Sequence, residues 1–128
     1  MNTPSDLMYT RNHEWIRVED DKAYIGITDY AQHNLGDFVF VEIPEVDLEV
    51  AVDDSIAVIE SVKAVASVFA PISGTILEAN EDLESSPELL NEDPYENWIG
   101  VISINDPSEL EGLLTAEQYE EFCAQLDE

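Results

Sequence analysis

Six short apolar runs, cut by Pro and Gly at close intervals, constrain this chain more than any other feature. Lys22–Ile27 alternates aromatic and β-branched residues with small ones, the period of a half-buried strand. Asp37–Ile43 is a stronger run and stops at Pro44, which has no N–H to donate to a ladder. Ser55–Glu60, Ala64–Ala70 (closed by Pro71), Thr75–Ala79 and Trp98–Ile104 complete the set. Strands this short and this frequent predict a mainly β sandwich or barrel of antiparallel sheets.

Helices fill the gaps. Thr28 is placed to cap a short helix over Asp29–Leu35, with Gly36 as its stop, so a helix is expected near 28–35. Asp106-Pro107-Ser108-Glu109 puts an acid at the cap and Pro at the first helical position. Thr115-Ala116-Glu117-Gln118 is a capping box that opens a last helix to about Leu126, giving a C-terminal helical segment over about 106–126. On that helix Tyr119, Phe122, Cys123 and Leu126 fall on one apolar face, where Cys123 is expected to be a packing residue. Ser86–Leu90 adds one helical turn. A faint internal symmetry relates Val52–Glu60 to Pro71–Ala79, each reading turn, apolar strand, acid. Two such halves would make a pseudo-two-fold sandwich about a central hairpin. No linker divides the 128 residues, so one domain spanning 1–128 is expected.

Charge excludes several functions. Thirty Asp and Glu face four Lys and Arg, a formal net charge of -26. Such a surface cannot displace phosphate counterions, so no nucleic-acid partner is expected, and anionic membranes would repel it. No apolar run approaches the roughly 18 residues of a membrane span, and the first residues lack a signal pattern. The single Cys123 has no internal disulfide partner, which with the missing signal points to a reducing, cytoplasmic setting. A monomer is expected.

In a chain nearly emptied of lysine, Lys63 stands out between two strands, at a hairpin tip near 61–64. One reading is a charged guard against edge pairing. The sharper reading is that chemistry needs the amine, which can be acylated and so bear a covalent group carrier. The tip position is expected to project the side chain into solvent, away from the barrel. Schiff-base catalysis would need a desolvated lysine instead. A metal centre is disfavoured, since His13 and His33 lie far apart and no Cys or His cluster accompanies them. There is no nucleophile–base pair and no Gly-rich phosphate loop, so the chain does not read as an enzyme.

Several islands together resemble one family. They are Tyr9, His13-Glu14-Trp15, Gly26-Ile27-Thr28 with Ala31-Gln32, Leu35-Gly36-Asp37 and Val39–Pro44. Glu60-Ser61-Val62-Lys63-Ala64, Ala70–Gly74, Asn80, Ser86–Leu89 with Asn91, Pro94-Tyr95 and Trp98 follow in order. In this order they resemble the H proteins of the glycine cleavage system, over nearly the whole chain. Other lipoyl domains usually carry Asp-Lys-Ala at the tip, and biotinyl domains Met-Lys-Met.

The resemblance implies the lipoyl/biotinyl-like barrel-sandwich hybrid of two antiparallel sheets, and lipoic acid bound covalently to Lys63. It implies a shuttle that takes an aminomethyl group from a glycine decarboxylase to an aminomethyltransferase. A dihydrolipoyl dehydrogenase then reoxidises the arm. Lipoyl-attaching enzymes are implied as further partners, with Glu60 and Ala64 as candidates for what they read. In the family the loaded arm folds into a cleft, and Glu14, Ile27, Thr28 and Asp29 map to it. Glu14 is expected to be partly exposed there, beside Trp15 as an aromatic wall. Where the family often has His before Leu-Gly, this chain has Asn34. Two alternatives remain at this stage: an H-like lipoyl carrier or relay protein serving another pathway, and an interaction module in which Lys63 stays unmodified.

Overall fold

The computed structural model describes residues 2–126. Nine strands form two antiparallel sheets. They are β1 Met8–Tyr9, β2 Glu14–Glu19, β3 Lys22–Ile27, β4 Phe38–Glu42 and β5 Glu49–Val50. Then come β6 Ser55–Ser61, β7 Val65–Phe69, β8 Gly74–Ala79 and β9 Gly100–Ser103. The larger sheet runs β1-β2-β3-β9-β8-β5 and the smaller β4-β6-β7. Four α-helices are α1 Asp29–Leu35, α2 Asp82–Ser85, α3 Leu89–Glu92 and α4 Ala116–Leu126; a 3-10 helix covers Pro107–Gly112.

The mainly β expectation holds, and so do the capping arguments. Thr28 accepts from the Ala31 N–H, and Gly36 at φ 82° ends α1 with its own N–H on the Gln32 carbonyl. That left-handed geometry is why Gly stands there. Thr115 and Gln118 bond reciprocally, N–H to side chain at 3.0 and 3.2 Å, as the capping box requires. The segment after Asp106 is tighter than expected, a 3-10 rather than an α-helix. Leu126 is 49% exposed, so the apolar face of α4 is narrower than its spacing suggested: Tyr119 and Cys123 are buried and Phe122 half-buried. Of the two segments related by the expected symmetry, β6 lies in the smaller sheet and β8 in the larger, on opposite faces of the sandwich.

Strands β1, β2 and β5 and helix α2 have no counterpart in the sequence reading. In β2 the run Glu14-Trp15-Ile16-Arg17 buries its first carboxylate, which periodicity counts as solvent-facing. Trp15 alternates to the opposite side of the strand. Its Cα partner is Gly26, where a Cβ would lie 2.5 Å from the indole nitrogen. The absent side chain makes room for the ring, and the indole N–H donates to the Pro94 carbonyl at 2.9 Å.

The main core lies between the sheets, with Ile16, Ile25, Ile59, Val68, Ile72 and Ile102 among its members. A second, aromatic cluster gathers Tyr9, Trp15, Tyr30 and Tyr119 beneath α4. Tyr9 and Leu114 exchange backbone hydrogen bonds at 2.9 and 2.8 Å, tying the C-terminal segment to β1.

Candidate functional site: a lysine tip beside a narrow cleft

Lys63 sits on the turn joining β6 and β7. Ser61 closes that turn. Its N–H donates to the Ala64 carbonyl at 2.8 Å, and its Oγ accepts from the N–H groups of Lys63 and Ala64, each at 3.1 Å. Val62 donates to the Asp37 carbonyl at 3.0 Å, pinning the tip to the start of β4. The tip is therefore a braced platform, and Ser61, only 6% exposed, is its brace. Sequence reasoning missed that role, although Ser two or three residues before N–H groups in a turn is a recognisable signal.

The lysine does not simply extend into solvent. Its Nζ donates to the Asn34 carbonyl at 3.0 Å, at the last turn of α1. The closing carbonyls of a helix lack internal partners and carry partial negative charge, so an ammonium settles there. Glu60 and Ala64 flank the tip and are exposed. Phe40, Val62 and Val65 add exposed apolar surface, and Phe40, Glu60 and Val65 are successive cross-strand partners.

Next to the tip a cleft of about 220 Å³ opens between α1, the start of β2 and the β6–β7 hairpin. Ile27, Ala31, Leu35, Ile59 and Val68 give it apolar walls, and Asn34, where the lysine ammonium rests, lies on it. Asn12, His13, Glu14 and Ser67 supply its polar groups.

Glu14 is 1% exposed, far more buried than the partial exposure expected for it. Its Oε2 accepts from the Phe69 N–H at 2.6 Å and its Oε1 from the Thr10 hydroxyl at 3.1 Å. Because β7 is an edge strand, the Phe69 N–H would otherwise be left without a strand partner. Burial pushes the carboxyl up to about 7; the two hydrogen bonds oppose this, and the charge of Asp53 adds to it. With its carboxyl raised in this way, a nearby cation shifts Glu14 toward its charged form.

His13 precedes it at φ 64°, a left-handed conformation uncommon for a residue with a side chain. Its ring stacks on Tyr30 with centroids 4.7 Å apart, and its Nδ1 lies 2.8 Å from the Tyr119 hydroxyl. Burial lowers its pKa.

Of the residues assigned to the cleft from sequence, the structure brings Glu14 and Ile27 onto its wall. It does not bring Thr28 or Asp29 there. Thr28 is fully buried, capping α1 and meeting Tyr119 at 2.7 Å. Asp29 turns toward the N-terminus, accepting from the Asn2 N–H at 2.8 Å and from Gln32 at 2.7 Å. Trp15 is no wall either, because strand alternation sends it to the opposite side from Glu14. Helix α1 and the hairpin were the missing contributors.

A larger cavity of about 350 Å³ lies on the other side of Glu14, reaching Arg11, Asp53 and Glu109. No residue of the tip or of α1 lines it, whereas the smaller cleft is lined by Ala31, Asn34 and Leu35 of α1. Among the described residues no group of His, Cys, Asp and Glu could hold a metal ion, and no helix is long and apolar enough to cross a membrane.

A family model described as "Glycine cleavage H-protein" matches residues 7–126. The chain is 55% identical over 123 residues to the glycine cleavage system H protein of Alkaliphilus oremlandii, covering 96% of this chain and 97% of that one. It is 56% identical over 127 residues to the protein of that name from Clostridium botulinum strain Hall, covering 99% and 98%. The crystal structure of a glycine cleavage system H protein from Mycobacterium marinum superposes with a TM-score of 0.81 at 34% identity, covering 98% of this chain and 99% of that one.

Proposed function

Since the chain belongs to the glycine cleavage H-protein family, we propose that Lys63 is its lipoyl attachment site and that the neighbouring cleft receives the loaded arm. At the family level the assignment is direct. The chain is a lipoyl-carrying shuttle of the glycine cleavage system and not an enzyme.

The observation that supports the finer reading is the juxtaposition of amine, tether route and carboxylate. The Lys63 ammonium already lies on Asn34, a residue of the cleft whose floor holds Glu14. The residues present fit the group. Lysine Nζ can form an amide, apolar walls suit an alkyl arm, and a buried carboxylate suits an aminomethyl ammonium. When bound, lipoate would supply a disulfide that is reduced as the one-carbon cargo arrives, one sulfur taking the carbon and the other becoming a thiol.

The protein's own part is presentation and shelter. Ser61 holds the tip in one geometry, Glu60 and Ala64 offer the attaching enzyme its landmarks, and a tethered cargo meets each enzyme at high effective concentration. In the cleft Glu14 takes the ammonium in a charge-assisted hydrogen bond, while Ile27 and its neighbours exclude water. Thr28 and Asp29 act only by holding α1 in place. The partners in this reading are the glycine decarboxylase, the aminomethyltransferase, the dihydrolipoyl dehydrogenase and lipoyl-attaching enzymes, with residues 1–128 acting as one carrier domain, monomeric, in the cytoplasm.

Intact mass and peptide mapping after expression in a lipoylation-competent host test the assignment. One lipoyl group at Lys63, absent from Lys63→Arg, is expected. Arg keeps the charge but not the acylatable amine. Lipoyl mass retained in that variant, or found on Lys22, overturns it.

A further inference from the structure

A chain of hydrogen bonds, buried at Thr28 and part-buried at His13, runs from α1 to the cleft through the C-terminal helix. The Ala31 N–H donates to the Thr28 Oγ1 at 3.2 Å, Thr28 Oγ1 lies 2.7 Å from the Tyr119 hydroxyl, and that hydroxyl lies 2.8 Å from His13 Nδ1. Thr28 is fully buried and already accepts from Ala31, so its own proton is best used toward Tyr119. The Tyr119 proton is then available to His13 Nδ1. Cys123 also borders the Tyr119 hydroxyl, but thiol sulfur is a weak acceptor beside an imidazole nitrogen. Every proton in the chain then has one direction, and it ends on the Nδ1 lone pair.

We propose that Tyr119 is a positioning residue that locks His13 as the Nε2–H tautomer, so that the imidazole faces the cleft as a hydrogen-bond donor and never as a base. This rests on the reading of the cleft as the shelter for an aminomethyl-loaded arm.

The two ring nitrogens point apart. Nδ1 is covered by Tyr119, one ring face by Tyr30, and Phe122 lies tilted with its centroid 5.9 Å away; His13 also lines the cleft, and the proposal turns the Nε2 edge toward it. With the proton fixed on Nε2, His13 itself turns no basic lone pair toward the cargo, and the carboxylate of Glu14 is left to hold the ammonium. The alternative tautomer would bare that lone pair. His13 could then take a proton from the cargo's ammonium, and the freed amine pair would expel the sulfur. The C–S bond breaks, water takes up the carbon as formaldehyde and the nitrogen leaves as ammonium. The imidazole returns its proton to the thiolate, so atoms and charge balance with water as the only co-reactant. A carrier gains by suppressing that path, and burial that keeps His13 neutral makes the choice of tautomer decisive.

The test has two readouts. Nitrogen-15 NMR of the unlipoylated protein reports the His13 tautomer, and formaldehyde release from the loaded protein without the transferase reports its consequence. Tyr119→Phe keeps the ring that stacks on Tyr9 at 4.8 Å and removes only the hydroxyl. The wild type is expected to show Nε2–H, and the variant a shift toward Nδ1–H with release faster by about fivefold or more, the scale of one lost neutral hydrogen bond. In a His13→Gln background the same substitution is expected to leave release unchanged. An Nδ1–H wild type, unchanged release in Tyr119→Phe, or equal acceleration in the His13→Gln background would each overturn the proposal. The tautomer is read without lipoate, so a failure of Lys63 lipoylation is seen separately from a failure of the lock.

Discussion

Replacing Glu14 with Gln should make the protein more stable relative to wild type as pH rises. The carboxyl is pushed from an ordinary 4.5 to about 7 by burial, even though Phe69 and Thr10 hydrogen-bond it. The folded state therefore holds a proton that the unfolded state has already released between those two values. A group whose folded pKa is raised in this way contributes fully below the unfolded pKa and loses that contribution as pH climbs through the folded one. That interval corresponds to about 3 kcal/mol, lost between about pH 4.5 and 7 with no further change above. Gln keeps an oxygen for the Phe69 N–H and never ionises, so it lacks this slope; the Thr10 hydroxyl must only turn from donor to acceptor. The assay is urea unfolding of both proteins from pH 4 to 8 at fixed ionic strength. Differencing the two curves cancels the other acids, which are common to both. A difference that moves toward Gln by about 2 to 3 kcal/mol between pH 4.5 and 7 is expected. A flat difference would mean that the carboxylate is held ionised and that burial does not dominate at this site.

Other outcomes follow from the same geometry. Ser61→Ala leaves two tip N–H groups without their acceptor and should cost about 1–3 kcal/mol in unfolding free energy, with slower lipoylation of Lys63 in a purified ligase assay. Glu14→Ala should leave lipoylation intact and shorten the life of the loaded arm at least about tenfold, measured as formaldehyde release; Glu14→Gln should reproduce the loss if the charge matters and not the Phe69 contact. The Michaelis constant of the carrier with the proposed decarboxylase partner should rise with salt, because a surface at -26 attracts a cationic partner only while screening is weak; a flat profile would argue against electrostatic docking.

What was legible in the sequence was what local chemistry determines. Thr28 and Gly36 bracket α1 because one supplies a capping oxygen and the other a left-handed turn. Pro44 and Pro71 close strands because they cannot donate. Lys63 was conspicuous because the chain avoids lysine almost everywhere else. What was not legible depends on long-range pairing. Glu14 reads as a solvated acid until β7 offers it an orphaned N–H from 55 residues away. Thr28 and Asp29 are neighbours of Ile27 in sequence, yet the turn from β3 into α1 directs them away from the cleft that Ile27 walls. Tyr119 looked like one more apolar contact on α4, since periodicity reports the ring and not the hydroxyl. Its importance appears only when α4 is docked against His13 from 106 residues away.

These placements explain why the site suits a carrier better than a catalyst. Catalysis places a base or nucleophile against the reacting atom, matched in pKa to the transfer it performs. Here the ionisable groups around the cleft are already engaged. Glu14 is bound by Phe69 and Thr10, and His13 Nδ1 meets Tyr119. The carboxylate can still answer a cation, because at about 7 a nearby ammonium needs only a modest gain to draw it fully into the charged form. A docked cargo would thus improve its own shelter by releasing a proton from Glu14, while the wall of Ile27, Ile59 and Val68 keeps out the water that would destroy it. Release then needs no chemistry within this protein. In the proposed reading it needs only a partner that engages the exposed tip at Lys63, Val62 and Val65 and draws the arm out of the cleft.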